Sequence, residues 1–284
     1  MASNRVFYHQ NCLDGFFGAW LSWKKFKNKA KYSGFNYQND DAFKKIKNKT
    51  VYFIDCSPSE ESLKKLKKQN NRLILIDHHL SSEKTLSLFD QYLYDNRHSG
   101  CVLSYFYFFP QNKKKVPKIL KYIEDVDLWQ FKIKNSREIY SALEIIDDLN
   151  FQKVSLVAKQ IENPKTRKEF IKRGETLEKY KKQLVKKLQE KAFLVQFEGY
   201  KILALNSPLL ISEAGNYLSN LHPPFCLIFS YHPNGIRVSL RGNGKIDVSK
   251  IAEKYKGGGH FSAASFFLPL NKKLPWKKIP IKNN

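Results

Sequence analysis

The sequence predicts an α/β protein: an N-terminal doubly wound parallel-sheet domain, a helical linker, and a smaller C-terminal α/β domain. Three observations carry this expectation. Short aromatic and β-branched runs alternate with stretches of helical spacing over residues 4–108, the order that builds a parallel sheet. Helical spacing then takes over beyond Pro117 and ends in a long basic stretch, 164–191. From Ala192 the pattern returns to strands. With 284 residues and roughly 150 residues to a domain, two domains are expected. Their bounds are 1–185, including the linker at about 164–191, and 192–284.

Residues 4–8 read as a first strand ending at His9. From Asp14 to Phe26, Phe16, Phe17, Trp20, Leu21 and Trp23 recur at helical spacing. Val51–Ile54 is a second strand ending at Asp55, after which Ser57 and the acidic Glu60 and Glu61 look like a helix start with Ser57 as its cap. Leu73–Ile76, four consecutive aliphatics, read as a buried third strand. A short strand at 92–94 and a helix at 99–108 follow, then one or two helices over 137–160. The 164–191 stretch carries Phe170, Ile171, Leu177, Tyr180, Leu184, Val185 and Leu188 on an otherwise basic helix. It can pack one face against a core or grip a phosphate backbone. In the last part, 193–195, 201–205, 225–231 and 236–240 read as strands, with a turn at Pro233-Asn234-Gly235 and helices at 212–218 and 247–255. The Lys- and Pro-rich C-terminus is expected to be loosely held.

Composition narrows the function classes. Hydrophobic residues are 42% and aromatics 14%, enough for packed cores and unlike a disordered chain. Lys+Arg is 50 against Asp+Glu 26, a formal net charge of +24. That balance suits polyanionic partners such as nucleic acid, nucleotides or polyphosphate. The excess is nearly all lysine, which an AT-rich coding sequence also produces. Cys12, Cys56, Cys101 and Cys226 are scattered without a CxxC pair, so neither a zinc ribbon nor a disulfide framework is indicated. There is no signal-peptide apolar region, and no apolar run approaches the roughly 18 residues of a membrane span. The expectation is a soluble, intracellular protein, cytoplasmic by preference, with no membrane partner.

The tripeptide Asp77-His78-His79 at the end of the third strand carries the most chemistry. In open α/β sheets, sites are built at the carboxyl ends of strands. His9 and Asp14 follow the first strand and Asp55 the second; Glu124, Asp125 and Asp127 lie in a later run ending at Trp129. Taken singly, each has a structural explanation: Asp55 caps a helix, His9 completes a strand, Asp125 and Asp127 face solvent. Their recurrence at successive strand ends favours one shared site. Mixed imidazole and carboxylate donors suit Mn2+, Fe2+ or Zn2+ better than an oxygen-only cation site. Two metals sharing a carboxylate would polarise a water for phosphoryl displacement.

These residues resemble the motifs of the DHH family of phosphoesterases with a C-terminal DHHA1 domain, which includes RecJ-like and oligoribonuclease-like phosphodiesterases. The first motif is similar to His9-Gln10-Asn11-Cys12-Leu13-Asp14-Gly15, the second to Asp55, the third to Asp77-His78-His79, and the fourth to Asp125-Val126-Asp127-Leu128-Trp129. The DHHA1 signature resembles Val238-Ser239-Leu240-Arg241 followed by Gly257-Gly258-Gly259-His260. The resemblance spans nearly the whole chain. It implies that His9, Asp14, Asp55, His78 and Asp127 are metal ligands, with Asp55 bridging. It implies that Asp77 is a ligand or orients an imidazole, and that His79 faces substrate to position it or shuttle a proton. The implied cofactors are two divalent cations, Mn2+ first, with Mg2+, Fe2+ or Co2+ as alternatives. Many members have an acidic residue where this chain has Asn11; Cys12 beside it offers a thiolate instead.

The second half reads on its own as an anion grip. Three glycines allow close backbone approach and can form a phosphate nest. His260 follows them. Arg237 and Arg241 share a face if one strand carries both, and arginine suits bidentate phosphate recognition. Arg97 is a further candidate contact. The expected activity is a metal-dependent phosphodiesterase or exonuclease that hydrolyses short oligonucleotides or nucleic-acid ends to mononucleotides, with single-stranded nucleic acid as a possible partner and the C-terminal domain clamping the substrate phosphate. The alternatives are a small-molecule phosphoesterase, acting on phosphoadenosine phosphate, a cyclic dinucleotide or polyphosphate, and a weakened enzyme that binds nucleic acid.

Overall fold

The computed structural model describes residues 3–35, 43 and 45–280. The chain folds into two compact units, Met1–Glu178 and Lys179–Asn284.

The first unit is built on five parallel strands, β1 (Asn4–His9), β2 (Ala30–Phe35), β3 (Thr50–Ile54), β4 (Arg72–Asp77) and β5 (Gln91–Tyr94), in the order β2-β1-β3-β4-β5. The runs Val51–Ile54 and Leu73–Ile76 lack polar alternation because both of their faces are buried. Tyr52, Ile54, Ile74 and Ile76 join one core with Phe17 and Trp20 of α1 (Leu13–Phe26) and Val102 of α3 (Gly100–Phe108). Val51, Phe53, Leu73 and Leu75 join the other with Leu63 and Leu66 of α2 (Glu60–Lys68). Each such fully buried side chain contributes about 1.5–3 kcal/mol of transfer free energy. Helices on both faces make the sheet doubly wound. The strand order reverses between β1 and β3, and the crevice at such a reversal is where open α/β sheets bind ligands.

Some elements differ from the sequence reading. Ser59, not Ser57, caps α2: its hydroxyl accepts from the Ser62 N–H at 3.3 Å. Ser57 precedes Pro58 and its hydroxyl turns to Thr85 Oγ1 at 3.2 Å. Strand β2, unforeseen, is an edge strand with little apolar content. The stretch 137–160 is two helices, α5 (Ser136–Glu144) and α6 (Phe151–Glu162). The second is capped by Asn150, whose side chain accepts from the Lys153 N–H at 2.9 Å. They follow α4 (Lys118–Asp127) and pack with it on the α1 face.

The basic stretch is one continuous helix, α7 (Pro164–Gln189). It is more than a linker: Phe170 belongs to the core of the first unit and Val185 to a core of the second. No helix among the described residues is long and apolar enough to cross a membrane.

The second unit holds seven strands: β6 (Phe193–Phe197), β7 (Tyr200–Asn206), β8 (Phe225–His232), β9 (Gly235–Gly242), β10 (Gly258–His260), β11 (Ala263–Leu268) and β12 (Lys277–Lys278). Their order is β10-β11-β9-β8-β7-β6-β12. All pairs are antiparallel except β7 with β8. The helix α8 (Ile211–Leu221) makes the crossover a parallel pair needs. It packs Ala214 and Leu218 on one face of the sheet, and α9 (Val248–Glu253) packs Val248 and Ile251 on the other. The C-terminal region is tied down as far as Lys278: Trp276 is buried and β12 pairs with β6.

Candidate metal centre

His9 ends β1, and the chain turns through Asn11 (φ 58°) into α1. Asn is among the few side chains that tolerate that left-handed conformation, which gives Asn11 a structural reason at this exposed turn. Asp14 and Gly15 open α1. A Cβ on Gly15 would lie 2.7 Å from the His9 carbonyl oxygen, so glycine lets α1 close onto the end of β1. Asp55 follows β3 and is itself left-handed (φ 58°). Such strain persists only where the surroundings over-determine it, and it clusters at functional sites.

These turns bring the expected ligands together. Donor atoms of His9, Cys12 and Asp55 lie within 4.8 Å of one another, as do those of Asp55, Asp77, His78 and His79, and those of Asp14, His78 and Asp127. Asp55 and His78 each belong to two of the groups. The two oxygens of Asp55 face different imidazoles: Oδ2 is 3.3 Å from His9 Nδ1, and Oδ1 is 3.1 Å from His78 Nε2.

The remaining carboxylates divide their roles by how their oxygens are used. Asp14 accepts from the N–H groups of Gly100 at 2.6 Å and Cys101 at 2.9 Å. It thereby takes up two orphan donors at the start of α3, where the capping residue Ser99 offers no side-chain bond. Asp77 is fully engaged: Oδ1 accepts from the His78 N–H at 2.8 Å and from His79 Nδ1 at 2.8 Å, and Oδ2 accepts from the Ser82 hydroxyl. Its bond to His79 Nδ1 holds that ring in place. Asp125 and Asp127 part company. Asp125 accepts from the Lys132 and Ile133 N–H groups at 2.8 and 3.1 Å. Asp127 Oδ2 is buried without a hydrogen bond, 3.5 Å from His78 Nε2.

Electrostatics show what such a cluster lacks. Burial and the charges of Asp55 and Asp127 push the Asp14 carboxyl well above its ordinary range. Burial also raises Asp127. Burial opposes ionisation of Asp55 too, but hydrogen bonds from His78 and His9 prevail and hold it well below the usual range. Burial would lower His78; the Asp55 hydrogen bond and the surrounding carboxylates instead raise it to about 10. Burial, with the charges of Asp55, Asp127 and Asp14, pushes the Cys12 thiol well up. The cluster is short of positive charge. The mixed donor set and the unbonded Asp127 oxygen fit divalent cations.

In the second unit, β9 carries both Arg237 and Arg241, four residues apart and hence on one face. Arg241 pairs across the sheet with Ala263, which pairs with His260, so His260 shares that face. Arg241 lies against Gly215 of α8 and donates from Nη1 to the Leu240 carbonyl at 3.0 Å. Burial lowers its pKa to about 10, leaving it charged at neutral pH. The glycine triplet forms no turn: Gly258 and Gly259 begin the edge strand β10. A Cβ on Gly257 would collide with the Ser265 carbonyl of β11. Arg97 forks onto Asp95 at 2.9 and 2.7 Å and is 81% exposed.

Sequence reasoning missed Gly100 and Ser82 as builders of the site. Gly100 followed a plausible cap, Ser99; for Ser82 there was no signal.

A family model describing the DHHA1 domain matches residues 206–275. An uncharacterized protein of Acanthamoeba polyphaga mimivirus is 30% identical over 302 residues, covering 96% of this chain and 70% of the viral protein. Two solved structures share the fold. An exopolyphosphatase-related protein from Bacteroides fragilis matches with a TM-score of 0.55 and 16% identity, over 95% of this chain and 87% of that one. RecJ from Thermus thermophilus, in complex with Mn2+, matches with a TM-score of 0.53 and 11% identity, over 93% of this chain and 49% of that one. The DHHA1 match lies in the second unit, and Asp77-His78-His79 ends a central strand of the first; the chain is a DHHA1-domain protein that shares the fold of RecJ and of the exopolyphosphatase-related protein.

Proposed function

We propose that this chain is a metal-dependent phosphodiesterase that releases mononucleotides from short oligonucleotides or nucleic-acid ends. The observation that carries the reading is Asp55, one of whose oxygens faces His9 and the other His78. That is the arrangement a carboxylate shared by two cations needs. His9, Asp14, Asp55, His78 and Asp127 would hold two divalent cations, Mn2+ by preference, which when bound supply Lewis-acid polarisation of the phosphoryl group and an activated water.

The chain's own residues do the rest. Asp77 accepts from His79 Nδ1 and so fixes that ring's tautomer and direction. Burial alone would lower His79, but the Asp77 charge and hydrogen bond raise it, which favours the protonated ring. His79 then positions the substrate and gives its proton to the departing oxygen. Asp14 stays fixed because two backbone N–H groups hold it. Arg237, Arg241 and His260 bind substrate phosphate in the second unit, with the Gly257–Gly259 backbone beside them. The net charge of +24 supports a polyanionic, single-stranded substrate.

The test is direct. Purified protein, Mn2+ and labelled di- to pentanucleotides are expected to yield mononucleotides, and Asp55→Ala and His78→Ala to abolish the release. No release across several divalent metals overturns the reading. Faster turnover of phosphoadenosine phosphate, a cyclic dinucleotide or polyphosphate in the same panel reassigns the substrate class.

A further inference from the structure

Beyond Asp127 the chain does something costly. Trp129 and Phe131 both adopt the left-handed conformation (φ 55° and 51°), which bulky side chains rarely enter. The loop is held there by Asp125. Its carbonyl oxygen accepts from the N–H groups of Gln130 and Phe131 at 2.9 and 3.3 Å, and its carboxylate accepts from those of Lys132 and Ile133 at 2.8 and 3.1 Å. Four consecutive backbone donors thus converge on one buried residue.

The product of that bracing is a small aromatic cluster. The Trp129 and Phe131 rings meet edge to face with centroids 4.8 Å apart. The Arg137 guanidinium lies 3.5 Å from the Phe131 centroid and 5.7 Å from that of Trp129. Trp129 nevertheless remains 39% exposed. It is two positions beyond Asp127, so their Cα atoms are at most about 7.6 Å apart. A hydrophobic core has no use for an exposed indole held in a disfavoured backbone conformation. A flat, apolar ligand group next to the metal centre does.

We propose that Trp129, backed by Phe131 and Arg137, is a stacking platform for a nucleobase of the substrate, setting its preference for nucleotides over other phosphate esters. This rests on the nucleotide reading given above. Phe131 and Arg137 keep the indole from collapsing onto the surface, and Asp125 fixes its height. The two aspartates of the Asp125-Val126-Asp127 run therefore serve two parts of the site: Asp127 the candidate cation cluster, Asp125 the base platform.

The experiment compares a dinucleotide with its abasic counterpart, in which tetrahydrofuran replaces one nucleoside, for the native chain, Trp129→Ala and Trp129→Phe. Base–aromatic stacking predicts that the native chain favours the base-bearing substrate in KM by about 5- to 150-fold. Trp129→Ala loses that preference, and Trp129→Phe keeps most of it. Equal effects of Trp129→Ala on both substrates, or none on either, overturn the platform. A binding arm separates this from the hydrolytic reading: tryptophan fluorescence is titrated with adenosine 5′-monophosphate and with ribose 5-phosphate, using Trp129→Phe as the reference. Quenching by the nucleotide alone, lost in Trp129→Phe, supports the platform even if no substrate is cleaved. Equal response to the two ligands, or persistence of the quench in Trp129→Phe, refutes it.

Discussion

Replacing Gly100 by Ala should damage the metal centre through a single methyl group. Gly100 is the first residue of α3, and its N–H donates to Asp14. A Cβ built there would lie 2.7 Å from Asp55 Cβ, 2.8 Å from Asp14 Oδ2 and 3.1 Å from Asp55 Cγ. Ordinary van der Waals contact begins at 3.4 Å. Asp55 and Asp14, or the start of the helix, must therefore move by up to about 0.7 Å, the largest shortfall in those contacts. In an unconstrained helix this substitution stabilises by about 0.4–1 kcal/mol; overpacking here should cost about 1–3 kcal/mol, so stability falls modestly. The larger effect is on metal, because displacing the groups that orient ligands costs about 10–100-fold in affinity. Calorimetric titration of native and Gly100→Ala protein with Mn2+ measures it. A variant that binds Mn2+ like the native chain and melts at a higher temperature would refute the claimed tightness around Asp14 and Asp55.

Saturating Mn2+ should raise the melting temperature: at a hundred times Kd the gain is about 2.7 kcal/mol, or roughly 5–11 °C, and Asp55→Asn should erase it in a thermal-shift assay. Cys56, Cys101 and Cys226 should resist a thiol reagent at pH 8 until the chain unfolds. Burial raises all three thiols, Cys226 to about 12, so the reactive thiolate is scarce; rapid labelling of the native chain would contradict this. The hydrogen bond from Arg97 lowers Asp95 to about 2. A carboxyl depressed in the folded state stabilises above its unfolded pKa of about 3.9 and loses that contribution as pH falls through the folded value. Arg97→Ala should therefore flatten the pH dependence of melting between about 4 and 2, by a small amount because the pair is exposed.

The parts of the fold legible in the sequence were those where burial dictates residue type. Val51–Ile54 and Leu73–Ile76 could hardly be anything but central strands, and the carboxylates that end them, Asp55 and Asp77, stand out because they are charged residue types that continue a buried run. Lys31, Tyr32, Ser33 and Gly34 announce no strand, because an edge position asks for little apolar surface. The strand-order reversal that makes His9 and Asp55 neighbours depends on β2 lying outside β1, and nothing local encodes that. The contact between Asp14 and the start of α3 joins groups 86 and 87 positions apart. Periodicity carries no trace of such pairings. The motif prefers Asp127 over Asp125 as a ligand; that Asp125 is engaged with its own loop, a physical reason for the preference, has no trace in the sequence.

Asp14 answers two demands with one side chain. It neutralises the amino end of α3 and also stands among the candidate cation donors. Were a divalent cation held here, the partial positive charge of the helix end would temper the pull of Asp14 on it, and the ion would exchange more readily than at a bare carboxylate. Ion uptake would then also report on folding, because only a chain whose early and middle segments have already met, as Asp14 meets Gly100 and Cys101, can offer the complete set of donors.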